Sequence, residues 1–280
     1  MKYFAERNNQ LADNFSIDLE DLKKYFYQTY RYFEEKNYFE MAYRGVWVHE
    51  NYKEIQVLPP SMSPSPEIFF INHLRSDEVY PIWDHHESYN EEQLFTVIEI
   101  LYNHICVYDY KQKISDKSIP KEEFATHMNN LLRFYKGGYS LDVKNGFIME
   151  QPNDSLLALL KEEPPKEMGA GVIEQLKTAM RMFYRYDANE ESRKKAINIL
   201  ADILEPLREE LKRLLNKEYE TNKNKHDKII FGIVNDFNIR HNNEKQLTEY
   251  NKGIWYEWMM HYYTSVIYAY YKLKSEMSEL

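Results

Sequence analysis

Residues 230–243 read I-F-G-I-V-N-D-F-N-I-R-H-N-N, and residues 254–273 read I-W-Y-E-W-M-M-H-Y-Y-T-S-V-I-Y-A-Y-Y-K-L. In the first stretch Ile230, Ile233, Val234 and Phe237 recur at helical spacing, which predicts a helix over 229–242. In the second, Trp255, Trp258, Met259, Tyr262, Val266 and Tyr270 share one face of a helix starting at 254. Working back, 172–186 and 190–215 carry the same period. The stripe of the latter is Ile197, Leu200, Leu204, Leu207, Leu211 and Leu214, with Pro206 placed to kink it. A charged connection, 217–228, leads to the 229–242 helix. Four consecutive amphipathic segments with short links predict a helical bundle.

The N-terminal part is also α-rich. Helices are predicted over 16–37, capped by Ser16 or Asp18, over 91–107 and over 121–135. The V-W-V and I-Q-V runs within 38–57 fit short strands or one end of a helix. Pro59, Pro60, Pro64 and Pro66 among serines mark a loop, and a short apolar piece follows at 68–74. Asn145-Gly146 between 139–143 and 147–150 signals a β-hairpin. A short helix is expected over 154–161. Pro164 and Pro165, within 162–171, mark the expected boundary between a module of residues 1–165 and a bundle of residues 166–280.

Composition narrows the function. The chain has 280 residues, 25 of them tyrosine and only 8 glycine, which favours helices. With 43% hydrophobic and 29% charged residues it can build a core. A net charge of -9 argues against coating nucleic acid by bulk electrostatics, so any such contact needs a local patch. The single Cys106 excludes an internal disulfide framework and suits a reducing cytoplasm. The opening M-K-Y-F-A-E-R-N-N-Q lacks the apolar run of a signal peptide. Glu257, His261 and Lys272 within 254–273 argue for a buried helix rather than a membrane span.

The chemistry gathers at the end of the 229–242 helix. Asp236 and Arg240 are four apart and able to pair on a helix, and His241 continues the edge of the stripe. One reading is purely structural: an Arg–Asp pair, a terminal histidine favourable to the helix dipole, and an Asn-rich end. The other enters by resemblance. The string N-D-F-N-I-R-H-N-N, followed by W-Y-E-W and an aromatic helix, resembles the C-terminal part of HEPN-type bacterial abortive-infection proteins with an F-x-I-R-H motif. The preceding A-I-N-I-L-A-D-I-L-E-P-L-R-E-E-L-K is similar to a helix of that group. The resemblance covers about residues 170–276.

That resemblance implies a mainly α chain whose C-terminal HEPN-like bundle follows the α-rich module with its small hairpin. It implies a homodimer, RNA as substrate, and endoribonuclease chemistry that needs no metal or other cofactor, in a cytoplasmic phage-defence or toxin system with an antitoxin or defence partner. Arg240 would stabilise phosphate and His241 would move the proton; Asn242 or Asn243 would orient substrate or neighbours, beside Asp236. In the family's usual pattern four to six residues separate the arginine from the histidine, whereas here Lys245, Gln246 and Leu247 hold the expected positions and the histidine follows the arginine directly. A regular helix would turn the two side chains about 100° apart. A non-catalytic RNA-, nucleotide- or protein-binding module and an interaction scaffold stand as the alternatives.

Four further motifs carry chemistry-bearing residues. Arg44 and His49 match the usual spacing once and are read as structural or surface residues. Asp84, His85 and His86 lack the partners of a familiar metal set and are read as a solvated loop or local hydrogen bonding. Gly169-Ala170-Gly171 is read as a helix start rather than a phosphate loop. The charged tract 208–228 is read as a solvated helix face.

Overall fold

Short polar side chains set the starts of several helices in the computed structural model, which describes residues 3–8, 15–50, 52–218, 226–239, 247 and 249–278. The chain is mainly helical and divides into two units, Met1–Gln151 and Pro152–Leu280. The division precedes the 162–171 stretch, so the short helix before that stretch belongs to the second unit.

In the first unit a single turn, α1 (Phe4–Arg7), precedes α2 (Leu19–Glu35). Asp18 caps α2 by accepting from the Asp21 amide, and Leu22, Phe26, Tyr30 and Phe33 are buried on one face. A π-helical turn, Glu40–Arg44, leads into β1 (Val46–Glu50) and β2 (Lys53–Leu58), an antiparallel hairpin. The V-W-V and I-Q-V runs are therefore strands. Next comes α3 (Pro66–Leu74), where Ser65 caps and Pro66 occupies the first turn. After the short α4 (Ile82–His85), α5 (Glu91–His104) starts in a full capping box between Asn90 and Gln93. A hairpin that the sequence did not signal, β3 (Val107–Asp109) with β4 (Ile114–Asp116), precedes α6 (Ser118–Leu132).

The Asn-Gly hairpin forms as β5 (Tyr139–Leu141) and β6 (Ile148–Glu150), with Gly146 at φ +73 in its turn. The core of this unit is aromatic: Phe26, Tyr30, Phe39, Tyr43, Phe69 and Phe70 are all buried. Each such ring contributes about 1.5–3 kcal/mol by leaving water.

The second unit starts with α7 (Asp154–Lys161), capped by Asn153, followed by α8 (Ala170–Tyr184) and α9 (Glu190–Leu204), the latter capped by Asn189. Gly169 is the residue before α8, so Gly169-Ala170-Gly171 opens a helix. The expected 190–215 helix is divided. Pro206 lies in a 3-10 turn, Glu205–Leu207, after which α10 (Arg208–Glu218) begins. Proline lacks the N–H that an unbroken α-helix needs there. Then come α11 (His226–Asp236) and α12 (Lys252–Ser278).

Together α8 to α12 pack as a helical bundle in which α9 lies against α8 and α12. Ala196, Ile197, Leu200, Ala201 and Leu204 of α9 are buried, as are Leu176, Ala179 and Phe183 of α8. Two buried tyrosines tie α12 across the bundle. The Tyr263 hydroxyl donates to the Ile230 carbonyl at 2.6 Å, and that of Tyr270 to Glu210 at 2.6 Å.

The expected face of α12 is corrected. Tyr256, Met259, Met260, Tyr263, Ile267 and Tyr270 are buried, whereas Trp255 and Trp258 are exposed. Apolar residues surround this helix, so periodicity alone does not single out the inward face. Among the described residues no helix is long and apolar enough to cross a membrane.

Candidate functional site

The 229–242 helix is shorter than its pattern predicts. The last residue of α11 is Asp236, and Asn238 takes the left-handed conformation at φ +55. The Ile239 amide then donates to the Val234 carbonyl at 3.0 Å, the six-to-one bond of a Schellman cap. Ile239 and Val234 are both buried, as that motif favours. Asparagine tolerates this backbone better than most residues, which is the physical reason the helix stops there.

The helix therefore ends before Arg240, and the four-residue spacing from Asp236 no longer places the two on one helical face. Arg240, His241, Asn242 and Asn243 lie outside the described residues. Asp236 is described: its side chain is exposed, and its carbonyl accepts from the Leu247 amide at 2.8 Å.

The chain on either side of residues 240–246 borders one cavity of about 350 Å³, with Asn238 and Leu247 both in its wall. Glu190, Glu191 and Lys194 of α9 supply one side, and Tyr250, Lys252 and Tyr256 the other. Lys252 donates to Glu190 at 2.7 Å, which holds the ammonium above its ordinary pKa. Burial raises the Tyr250 and Tyr256 phenols, and the neighbouring Tyr256 hydroxyl raises Tyr250 further. Both stay neutral hydroxyls at physiological pH.

Tyr250 also donates to the Phe237 carbonyl at 2.8 Å and sets its ring edge-on to that of Phe237 at 5.0 Å. Trp255 packs on Phe237 at 4.6 Å. The wall thus offers neutral hydroxyls, one ion pair and the Asn238 Oδ1, which is buried and has no hydrogen-bond partner among the described residues. These groups can orient a polar ligand, and a proton-transfer step would need a further residue such as a histidine.

A second polar cluster in the bundle escaped the sequence reading. Tyr184 donates to Glu257 at 2.8 Å, and His261 Nε2 lies 3.1 Å from the same carboxylate oxygen. Asn153 Nδ2 is 3.2 Å from that Nε2, while its Oδ1 caps α7 by accepting from Leu156. One ring nitrogen cannot donate to Glu257 and accept from Asn153 at once. The available signal was the four-residue Glu257–His261 spacing, which the sequence reading used only against a membrane span.

In the first unit Arg44 and His49 are brought to one cavity of about 390 Å³. The His49 side chain is exposed and sits 3.3 Å from Glu54. His86 is buried, stacks on Tyr27 at 4.1 Å and places Nδ1 3.1 Å from the Ile82 carbonyl, so its role is local. Asp84 and His85 lie in α4. Among the described residues no group of three or more His, Cys, Asp or Glu side chains is placed to hold a metal ion. Comparison of the chain with protein-family models, curated proteins and solved structures gives no match.

Proposed function

We propose that the protein is a HEPN-like endoribonuclease acting in the cytoplasm as a phage-defence or toxin effector. The observation that carries this reading is the placement of the residues on either side of 240–246. Before these residues α11 ends in a Schellman cap, and Asn238 and Leu247, on either side of them, both stand in the wall of one polar cavity. The F-x-I-R-H resemblance and the helical bundle support the same reading.

In this reading His241 takes the proton from a ribose 2′-hydroxyl, the 2′-oxygen bonds to the adjacent phosphorus, and the bond to the 5′-oxygen breaks as that oxygen takes a proton from water. Arg240 balances the charge that develops on the phosphate. The products are a 2′,3′-cyclic phosphate and a 5′-hydroxyl, and no metal takes part. A homodimer and a restraining partner protein belong to the same proposal.

The test is incubation of the purified protein with total RNA in EDTA, followed by end-group analysis. Cleavage leaving cyclic phosphate is expected, with Arg240→Ala and His241→Ala each inactive at unchanged melting temperature. RNA binding without cleavage by the wild type would instead indicate a non-catalytic module. Loss of stability in both variants, with neither binding nor cleavage, would indicate a scaffold.

A further inference from the structure

The cavity of the first unit is built from two elements that fix three complementary groups. Glu40 and Arg44 come from the π-helical turn, and Trp47 and His49 come from β1. Residues two apart on a strand share a face, so Trp47 and His49 project from the same side of the hairpin. The Trp47 indole N–H donates to the Arg44 carbonyl at 2.9 Å, which pins the ring, yet 47% of the residue remains exposed. Burial raises the pKa of Glu40 against the opposing effects of Arg44 and the Trp47 backbone N–H.

Arg44 is only loosely engaged. Its guanidinium lies 3.5 Å from the Glu34 carbonyl and 3.7 Å from the Glu34 carboxylate. Committed bonds between charged groups are about 2.7–2.9 Å long. Asn37, with φ +63, and Glu54 complete the wall. The cavity therefore presents a pinned indole face, a carboxylate acceptor and a guanidinium fork with donors to spare.

We propose that this cavity binds a guanine base. Guanine presents adjacent N1–H and N2–H donors that one carboxylate can accept, and O6 and N7 acceptors that suit a bidentate arginine. Its flat face suits the Trp47 ring. Adenine has an acceptor at N1, which would oppose the Glu40 carboxylate. A bare phosphate would meet Glu40 and Glu54 flanking the single arginine. The volume accommodates one base with its ribose, from either a free nucleotide or an RNA strand. The site is distinct from the cavity beside residues 240–246.

Calorimetric titration of the full chain with GMP, IMP, AMP and the trinucleotides ApGpA and ApApA tests this. GMP or ApGpA should bind at least about tenfold more tightly than AMP or ApApA, and IMP, lacking the 2-amino group, should fall between GMP and AMP. Binding of GMP assigns the site to free nucleotide; binding of ApGpA alone assigns it to guanine within RNA. Trp47→Ala should weaken binding about tenfold or more, as loss of one stacked base predicts, while Trp47→Phe stays within a few fold. Glu40→Gln should erase the preference for guanine over adenine. Arg240→Ala and His241→Ala should leave the GMP titration unchanged, which separates this site from the cleavage reading. No binding of GMP or ApGpA at millimolar concentration by protein with an intact helical spectrum would overturn the proposal. So would binding indifferent to the base or to both Trp47→Ala and Glu40→Gln.

Discussion

The Leu247 amide donates to the Asp236 carbonyl at 2.8 Å, joining the last residue of α11 to the chain eleven positions later. This bond stands beside a left-handed asparagine, Asn238 at φ +55. Asn238 therefore fixes the direction in which the chain leaves the helix.

Replacing Asn238 with alanine should destabilise the fold by about 1 kcal/mol, because alanine keeps the β-carbon but lacks the short polar side chain that lets asparagine tolerate the left-handed region. Asn238→Gly should be tolerated, because glycine adopts this backbone freely and the Asn238 Oδ1 has no partner to lose among the described residues. Urea unfolding of both variants checks this. Equal stability of the two would refute the role of backbone conformation.

His104 sets an acid-side dependence. Burial first, then His73, Lys117 and Lys121, lower its pKa from 6.5 to about 4. Its ring lies 5.1 Å from His73 and 5.2 Å from Phe69. Because the folded pKa is depressed, the unfolded chain takes up this proton first as pH falls. The His104 contribution is complete above pH 6.5 and declines as pH falls toward about 4, at no more than about 1.4 kcal/mol per pH unit. Urea midpoints across this window should vary less with pH in His104→Gln; an unchanged slope would sink the assignment.

Gly146 should not accept a side chain. A β-carbon there would stand 2.4 Å from Asn103 Oδ1, at φ +73. Gly146→Ala should cost about 1–2 kcal/mol. Asn103 Nδ2 also donates to the Gly146 carbonyl at 3.1 Å, so Asn103→Ala and Gly146→Ala should be non-additive. A double-mutant cycle measures the coupling, and simple additivity would contradict the contact.

Tyr263→Phe should lower stability by about 1 kcal/mol, because it removes the buried hydroxyl that bonds the Ile230 carbonyl. The variant keeps the ring and its packing. Chemical denaturation with an unchanged m-value should report the loss, and wild-type stability would show that the bond contributes nothing.

The parts of the fold that were legible are those with a local signal. The short helix Asp154–Lys161 has its Asn153 cap in the sequence, and the β5–β6 hairpin has Asn145-Gly146. The end of α11 was not legible, because Phe237 and His241 extend the helical period past the true stop. The deciding event was the backbone conformation of one residue, Asn238. The face of α12 was hidden because tyrosine, tryptophan and methionine occupy every side of it. The joint cavity of Arg44 and His49 depends on a π-turn meeting a hairpin, which residue spacing does not encode. The candidate residues 240–243 were chosen on resemblance, and their test is biochemical.

The three residues Glu205–Leu207 also set an angle. A 3-10 turn advances about 120° per residue against about 100° in an α-helix, so three such residues add about 60° of rotation. The leucine row that looks continuous on a helical wheel from Ile197 to Leu214 is therefore two rows out of phase. Shifting Pro206 by one position would move this phase step along the chain and change which side chains of α10 meet Tyr270, even if no contact residue were altered.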